Sequence, residues 1–566
     1  MPRFDSASVF GRLLDWKKGG FCSLAPAGEH SASRRYLPDT LVLETTFRAE
    51  SGSARVFDCF TMRSGGRQDP FQQLLRVVDG LEGTMDFELL ACPRFDYGGI
   101  QPWIRAEDPG AFSALGGAAA LVLWSDARLE PAGHHDLHAR FPVSAGERVR
   151  TSIHFALPET LDNRTPKPPE PTELDRRLEQ TVHWWDRWAK KGHARSQLER
   201  DAMRSALVLK GLTNAPTGAI CAAPTTSLPE SLEGNRNWDY RFSWIRDSAF
   251  TLASLAELGY VAEADGFRRF VERSAAGSAQ ELQVMYGVGG EHRLTEHELE
   301  DLEGYRGVGP VRVGNAAYAQ TQLDVYGALL EIAWRWHQRG HSPSEDYWKF
   351  LVELVETASR CWAEPDRGIW EVRGEPRHFV QSKVMCWVAL DRGISLALAT
   401  GRTARVHEWT RTRDGIKAAV MTHGYNQERT SFVQAFGTTE MDAALLLLPN
   451  VGFVDWADER MVGTVAAIRT DLEEDGLILR YRTADGLEGD EGRFLCCSFW
   501  MAECLARQGQ SDEARAIFDK ACGASNDLGL FSEEYDPATG LMLGNFPQGL
   551  THLSHIEAAL ALRDYG

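Results

Sequence analysis

Two patterns of apolar and polar positions divide the chain. Up to residue 165, short Val-, Leu-, Phe- and Thr-rich runs alternate with turn residues, at 41–47, 54–61, 83–92, 118–124, 137–143 and 149–156. Runs of this length with Gly, Asp and Pro between them predict antiparallel strands folded as a β-sandwich. From residue 196 the apolar period changes to i, i+3, i+4. It predicts helices at 197–213, 243–258, 261–275, 315–338, 344–363, 380–400, 403–421, 440–449, 455–470, 493–508, 511–523 and 549–562. Twelve helices joined by loops of uneven length suggest a toroid of helical hairpins, an (α/α)6 barrel. Between the two patterns lie Pro158, Pro166, Pro168, Pro169 and Pro171, a stiff, solvated linker. Thr172 is the expected N-cap of a linker helix over 173–190 that carries Trp184, Trp185 and Trp188. The expected organisation is multidomain β + α: a β-sandwich at 1–165, a linker and linker helix at 166–195, and a helical barrel at 196–566.

Composition narrows the partners. Lys plus Arg number 61 against 80 Asp plus Glu, a net charge of −19. An acidic surface repels phosphate backbones and anionic lipid, so nucleic acid and membranes are poor partners and a small neutral molecule is a better one. Of 17 Trp, three precede residue 166, so aromatic density roughly doubles in the helical part, and flat apolar rings suit sugar faces. The ten Cys form no C-x-x-C and sit mostly in apolar runs, as reduced thiols do, which points to the cytoplasm. No basic stretch followed by an apolar one opens the chain, and no apolar run approaches a membrane span. Oligomeric state is not readable at this level.

Four loops combine residue types that chemistry needs. Residues 235–247 (Asn-Arg-Asn-Trp-Asp-Tyr-Arg-Phe-Ser-Trp-Ile-Arg-Asp) place polar groups beside aromatic rings ahead of a helix. Arg246 and Asp247, being adjacent, are expected on different sides of that helix start. Residues 304–315 are Gly-rich, but match neither G-x-x-x-x-G-K-[ST] nor G-x-G-x-x-G; such a loop brings backbone close to a neutral ligand, with Arg306 and Asn315 as donors, or serves only as a turn. Residues 367–375 hold Glu371 after Trp370, a setting that raises an acid's pKa. Residues 530–537 hold Glu533 and Glu534. Each acidic loop alone is weak, since surface carboxylates are common. Together they meet the requirement of acetal hydrolysis: one carboxylic acid to protonate the leaving oxygen, and a carboxylate to activate water or attack the sugar. That chemistry needs no metal and no cofactor. The dense His/Glu stretch Glu291-His292 and Glu296-His297-Glu298 lacks the H-E-x-x-H spacing and reads as a charged surface loop.

At this point the chain resembles glycoside hydrolase family 15, the glucoamylases, glucodextranases and bacterial and archaeal trehalases. The resemblance rests on 2–6 (Pro-Arg-Phe-Asp-Ser), 34–40 (Arg-Arg-Tyr-Leu-Pro-Asp-Thr), 93–98 (Pro-Arg-Phe-Asp-Tyr-Gly) and the four loops, and it spans almost the whole chain. It implies the sandwich, the linker and the (α/α)6 barrel, acting on terminal α-glucosyl units with inversion. By motif, Glu371 resembles the general acid and Glu533 the general base, with Glu534 the alternative base. Arg246 and Asp247 resemble the pair that grips the non-reducing glucose. Trp238, Tyr240, Trp244, Tyr305, Arg306 and Trp370 would line the pocket, and Lys383, in the S-K-V-M-x-W stretch, would contact it. Gln381 stands where the family often has His. Members of the trehalase-like group also carry a further stretch before Pro-Arg-Phe-Asp-Ser, so an unpaired sheet edge is expected here.

The expected function is an inverting, exo-acting α-glucoside hydrolase, with trehalose the first substrate and a small malto-, isomalto- or dextran-type oligosaccharide the second. A non-catalytic glycan-binding or regulatory protein on the same scaffold is the competing class.

Overall fold

The computed structural model describes residues 2–108, 110–163, 166–192, 196–275, 279–487, 489 and 491–566. The junctions expected at 165 and 195 fall on 164–165 and 193–195, outside the described residues. The chain forms two compact units. The first comprises Met1–Gly192, Leu299–Val311 and Asp527–Gly529; the second comprises His193–Glu298, Arg312–Asn526 and Leu530–Gly566.

The first unit holds 11 antiparallel strands. They are β1 Phe21–Pro26, β2 Ser31–Tyr36, β3 Leu43–Ala49, β4 Gly52–Phe60, β5 Gln73–Cys92, β6 Trp103–Asp108, β7 Ala111–Gly116, β8 Ala119–Ser125, β9 Glu130–Ala132, β10 Asp136–Ser144 and β11 Arg148–Ala156. The main path runs β2-β3-β4-β5-β11-β8-β7-β6. The 20-residue β5 belongs to two pairings: its first half lies between β4 and β11, its second between β1 and β10. One apolar cluster joins residues of both halves, with Leu137, Ala139, Phe141 and Val143 of β10 alternating inward beside Val56, Val78, Leu123 and Ile153. The periodicity found six of these strands. It missed β1, β2, β6, β7 and β9; of these, β2 and β6 are exposed along nearly their whole length and so lack an apolar face to read. β2 and β6 are the two ends of the path, and edge strands carry polar side chains for this reason. The helix α1 Pro158–Asn163 precedes α2 Pro171–Ala189. The N-cap of α2 is Glu170, with Pro171 in its first turn, in place of the expected Thr172: proline's missing N–H costs nothing there. Asp175 ties α2 to β11, accepting from Arg148 at 3.1 Å and Arg150 at 2.6 and 2.9 Å.

The second unit is mostly helical. Its helices are α3 Gln197–Gly211, α4 Ile245–Glu257, α5 Val261–Ser274, α6 Asp324–Gln338, α7 Glu345–Cys361, α8 Val380–Thr400, α9 Val406–His423, α10 Glu459–Leu472, α11 Leu495–Arg507, α12 Ser511–Cys522 and α13 Gly549–Tyr565. A capping box of Ser196 and Glu199 starts α3. The expected helix at 440–449 is instead a short 3-10 helix, Ala443–Leu447, begun by the Asp442 side chain accepting from Ala444 N–H. The expected 315–338 helix begins only at Asp324, after a separate 3-10 turn at Ala316–Ala319.

Helices α8, α11 and α13 are buried on nearly all sides, as is most of α6, whereas α7 and α12 bury one face. Six segments close a ring: α4 packs on α6, α6 on α8, α8 on the 3-10 helix, that helix on α11, α11 on α13, and α13 on α4. The other helices pack outside it. Six loops lead into the N-termini of the ring segments, and backbone bonds zip each to its neighbour. Val380 N–H donates to Gln434 at 2.9 Å, Ala443 N–H to Arg480 at 2.8 Å, Leu495 N–H to Glu533 at 3.1 Å and Gly549 N–H to Ala222 at 2.7 Å. Helix first turns have N–H groups with no partner of their own, and the adjoining loop supplies one.

Candidate active site

Glu371 sits on a tight loop ahead of α8, closed by the bridge between Asp366 and Arg377. Its φ is +50°, a region that costs a side-chain-bearing residue free energy unless neighbours hold it there. The 320–324 segment ahead of α6 does so. Arg367 N–H donates to Thr321 at 3.3 Å, Gln320 Nε2 to the Glu371 carbonyl at 3.3 Å, and Leu323 N–H to Asp366 Oδ2 at 3.1 Å. The Glu371 carboxylate receives Gln322 Nε2 and an Arg246 guanidinium nitrogen, each at 3.1 Å and both on Oε1. That leaves Oε2 as the oxygen able to carry a proton.

Arg246 opens α4. It is paired with its own neighbour, Nε donating to Asp247 Oδ1 at 2.7 Å, which corrects the expectation that the two point apart. The long guanidinium arm folds back over the first turn, because a buried cation is stable only beside its counter-charges. The same guanidinium also donates to the Ile369 carbonyl. Although burial opposes its charge, Asp247, Glu371 and the buried Asp324 together hold its pKa above the usual arginine range. Burial pushes the Asp324 carboxyl up to about 7, with Arg246 pulling it down.

Glu533 lies just before a short strand, Glu534–Asp536, ahead of α13. It is 1% exposed. The Tyr240 hydroxyl donates to its Oε1 at 2.7 Å, and Gln548 Nε2 approaches the same oxygen at 3.4 Å. Oε2 has no protein partner. A Cβ at Gly544, whose φ is +74°, would stand 2.7 Å from that oxygen, so only glycine leaves room for the carboxylate. Burial first, then the charge of Glu230, pushes the Glu533 carboxyl well above its usual range. The Tyr240 phenol, raised mainly by burial, feels Glu533, Glu230 and Glu371.

Glu534 faces the opposite way, as successive residues of extended chain do. It is fully buried, and its Oε2 accepts Gly492 N–H at 2.8 Å. It belongs to an ionic network. Arg236 meets Asp485 at 2.7 and 3.0 Å and Glu491 at 2.6 Å. Arg480 meets Glu491 at 2.7 Å and stands 3.5 Å from Glu230. Glu230, Glu491 and Glu534 each bring an oxygen within 4.8 Å of the others, and Arg236 and Arg480 answer this charge.

Trp370, buried beside Glu371, donates its indole N–H to Asp442 at 2.8 Å, and its ring meets Phe494 and Trp500. Trp244 and Tyr240 pack edge to face at 5.4 Å. Trp238 lies between the guanidiniums of Arg312 and Arg373, at 4.7 and 4.6 Å. Lys383 is fully buried and its ammonium donates to the Glu364 carbonyl. Gln381 is buried as well. Tyr305 and Arg306 lie in Leu299–Val311, within the first unit, where they form a tight turn bridged from Tyr305 to Val308. Asn315 accepts Ala317 N–H and starts a 3-10 turn. Of the His/Glu stretch, Glu296 and Glu298 pair with Arg312. Sequence reasoning passed over Glu230, Gln322 and Gln548; single polar residues in loops, they carry no spacing signal.

Known proteins resemble this chain in sequence and in fold. Residues 199–560 match the sequence model of "Glycosyl hydrolases family 15", and residues 1–130 that of "Trehalase-like, N-terminal". The trehalase of Mycolicibacterium smegmatis is 40% identical over 99% of this chain and 87% of its own length. The trehalase of Mycobacterium tuberculosis is 41% identical over 99% and 85%, and that of Thermoplasma acidophilum 35% identical over 100% and 96%. A bacterial glucoamylase complexed with acarbose superposes with a TM-score of 0.72 at 12% identity, covering 99% of this chain and 90% of that one, which is a likeness of fold.

Proposed function

The chain belongs to glycosyl hydrolase family 15, a glycoside hydrolase family, and from that membership we propose that it is an inverting, exo-acting hydrolase of trehalose. The observation that supports the site assignment is the Trp370 ring packed on Phe494 at 5.2 Å, with Phe494 paired to Glu534 and the Tyr240 hydroxyl bonded to Glu533. Trehalose as substrate rests on the relatives named trehalase that align over nearly all of the chain.

In this reading Glu371 is the general acid. Its Oε1 is held by Arg246 and Gln322, so the proton resides on Oε2 and passes to the glycosidic oxygen. Glu533 is the general base. Its Oε1 is held by Tyr240 and Gln548, and Oε2 takes a proton from water attacking the far face of the sugar. Glu534, turned into the Arg480 network, is disfavoured as base. Asp247 and Arg246 hold the non-reducing glucose, and Trp238, Tyr240, Trp244 and Trp370 line its faces. Lys383 braces the acid loop from its buried position. No step requires a metal or cofactor.

The closed ring of six inner segments with helices packed outside supports an (α/α)6 barrel, and the two-sided core of the sheet unit supports a β-sandwich. Among the described residues no helix is long and apolar enough to cross a membrane. The buried thiols of Cys59, Cys386 and Cys504 support a reducing, cytoplasmic setting.

Glucose release from trehalose, maltose, isomaltose and dextran tests the substrate, with the first anomers followed by NMR. Inversion on trehalose yields α- and β-glucose in equal amounts at the outset. Release of α-glucose alone would overturn inversion, and a preference for maltose or dextran would overturn the substrate.

A further inference from the structure

Charges around the base do not balance unless protons are held there. Asp485 grips Arg236 through both oxygens at 2.7 and 3.0 Å, and Glu491 grips Arg480 through both of its own. Each guanidinium thus has its carboxylate. Glu230, Glu533 and Glu534 remain, all buried; among the described residues the one cation paired with any of them is Arg480, 3.5 Å from Glu230 and already gripped by Glu491. Burial without a matched cation favours the protonated form, so at least one of the three holds a proton, and any of them that stays ionised needs hydrogen-bond donors.

Their donors tell the three apart. Glu533 Oε1 receives the Tyr240 hydroxyl and approaches Gln548. Glu534 Oε2 receives Gly492 N–H. Glu230 receives no N–H at its carboxyl: Oε2 stands 3.5 Å from Arg480, and Oε1 faces the Tyr240 oxygen at 3.5 Å. Tyr240 has one hydroxyl proton, and its short bond to Glu533 uses it. On the Glu230 side the phenol oxygen can therefore only accept.

We propose that Glu230 is a positioning residue: as a neutral acid it donates to the Tyr240 oxygen, Tyr240 donates to Glu533, and Glu533 remains the ionised base. The proposal rests on Glu533 being the base, and it explains how a fully buried carboxylate can stay ionised. No covalent step is involved. The groups facing Glu230 are Tyr240, Arg480, Arg236, Glu491, Asp485, Glu533 and Glu534. Burial pushes Glu230 up to about 7, Arg480 pulling it down and Glu491 raising it further, so it is protonated on the acid side of neutrality.

Two variants decide. Glu230→Gln keeps a neutral donor, so kcat on trehalose stays within about threefold of wild type and the acidic limb of kcat/KM does not move. Glu230→Ala removes the donor: kcat falls at least about tenfold with KM little changed, and the acidic limb moves to higher pH as Glu533 loses support. Infrared spectra of wild type and Glu230→Gln, recorded on the acid side of Glu230's value of about 7, should differ by a protonated carboxyl band present in wild type and missing from the variant. That band is readable even if Glu230→Ala does not fold. Loss of activity in Glu230→Gln, full activity in Glu230→Ala, or no missing band would overturn the proposal. Glu533→Gln is measured alongside: if it keeps full activity, the base assignment has failed, and the Glu230 variants cannot be credited with supporting it.

Discussion

The two carboxylate loops solve opposite problems. Glu371 lies on a strained turn, partly open, with a guanidinium at 3.1 Å. Glu533 is 1% exposed, with a phenol and an amide as its donors and every arginine nearby already matched to another carboxylate. Local electrostatics taken alone would exchange their roles, since a nearby cation favours an ionised carboxylate and burial favours a protonated one. What resolves this is where charge and protons reside in the surrounding shell. Arg246 donates to Asp247, to Glu371 and to the Ile369 carbonyl, so one guanidinium serves several acceptors at once. Glu230 stands 3.5 Å from the Tyr240 oxygen that donates to Glu533, and in the proposal it is the group that keeps a proton. A residue's role in such a site is set one shell out from the reacting atoms.

The strongest test exchanges the roles outright. Glu371→Gln and Glu533→Gln should each lose about 10²–10⁴-fold in kcat on trehalose with the fold intact by circular dichroism. On α-glucosyl fluoride, whose leaving group needs no proton, Glu371→Gln should recover most activity and Glu533→Gln should recover none. The reverse outcome would make Glu533 the acid.

Gly544→Ala attacks the base side alone. The new Cβ meets Glu533 Oε2 at 2.7 Å and sits at a φ of +74°. The backbone conformation costs roughly 1–2 kcal/mol of stability, and displacement of the carboxylate should lower kcat about a hundredfold. A urea melt with steady-state kinetics separates the two effects; unchanged kcat would mean the carboxylate has room to shift.

Gln322→Ala attacks the acid side. Loss of a hydrogen bond to the neutral acid is worth about 0.5–1.5 kcal/mol, so kcat/KM should fall roughly two- to tenfold. Glu371→Gln in the same background should add less than it does alone, as a double-mutant cycle would reveal. Full additivity would detach Gln322 from Glu371.

The smallest effect is a pH dependence of stability. Burial raises Glu230 from 4.5 to about 7. Between those values the folded protein keeps a proton that the unfolded chain has released, so this group's contribution to stability falls as pH rises through the window. Glu230→Gln removes that dependence. Relative to wild type, the variant should gain stability from about 4.5 up to about 7 and gain nothing further above it. Urea midpoints across that range would show a flat difference if Glu230 titrates normally.

Much of this contrast begins in legible sequence. The acidic loops, the aromatic cluster at 235–247 and the helix periods that place each loop ahead of a helix all appear in one dimension. The exposed edge strands β2 and β6, and the 3-10 helix at Ala443–Leu447, escape a period-based reading because nothing in them repeats against a core. Gln322 and Glu230 escape for another reason: each matters only through a partner 49 or 10 residues away.

By itself, then, the sequence determines the element types, the break between sheet and helices, and the residue types from which a two-carboxylate site can be made. Apolar periodicity and side-chain chemistry are local properties and survive in a string of letters. Which carboxylate is buried, and which donors it meets, was decided only by the tertiary structure. Protonation follows burial and donor geometry, and those arise where the loops ahead of α4, α6, α8, α11 and α13 are zipped together at the ends of the ring helices.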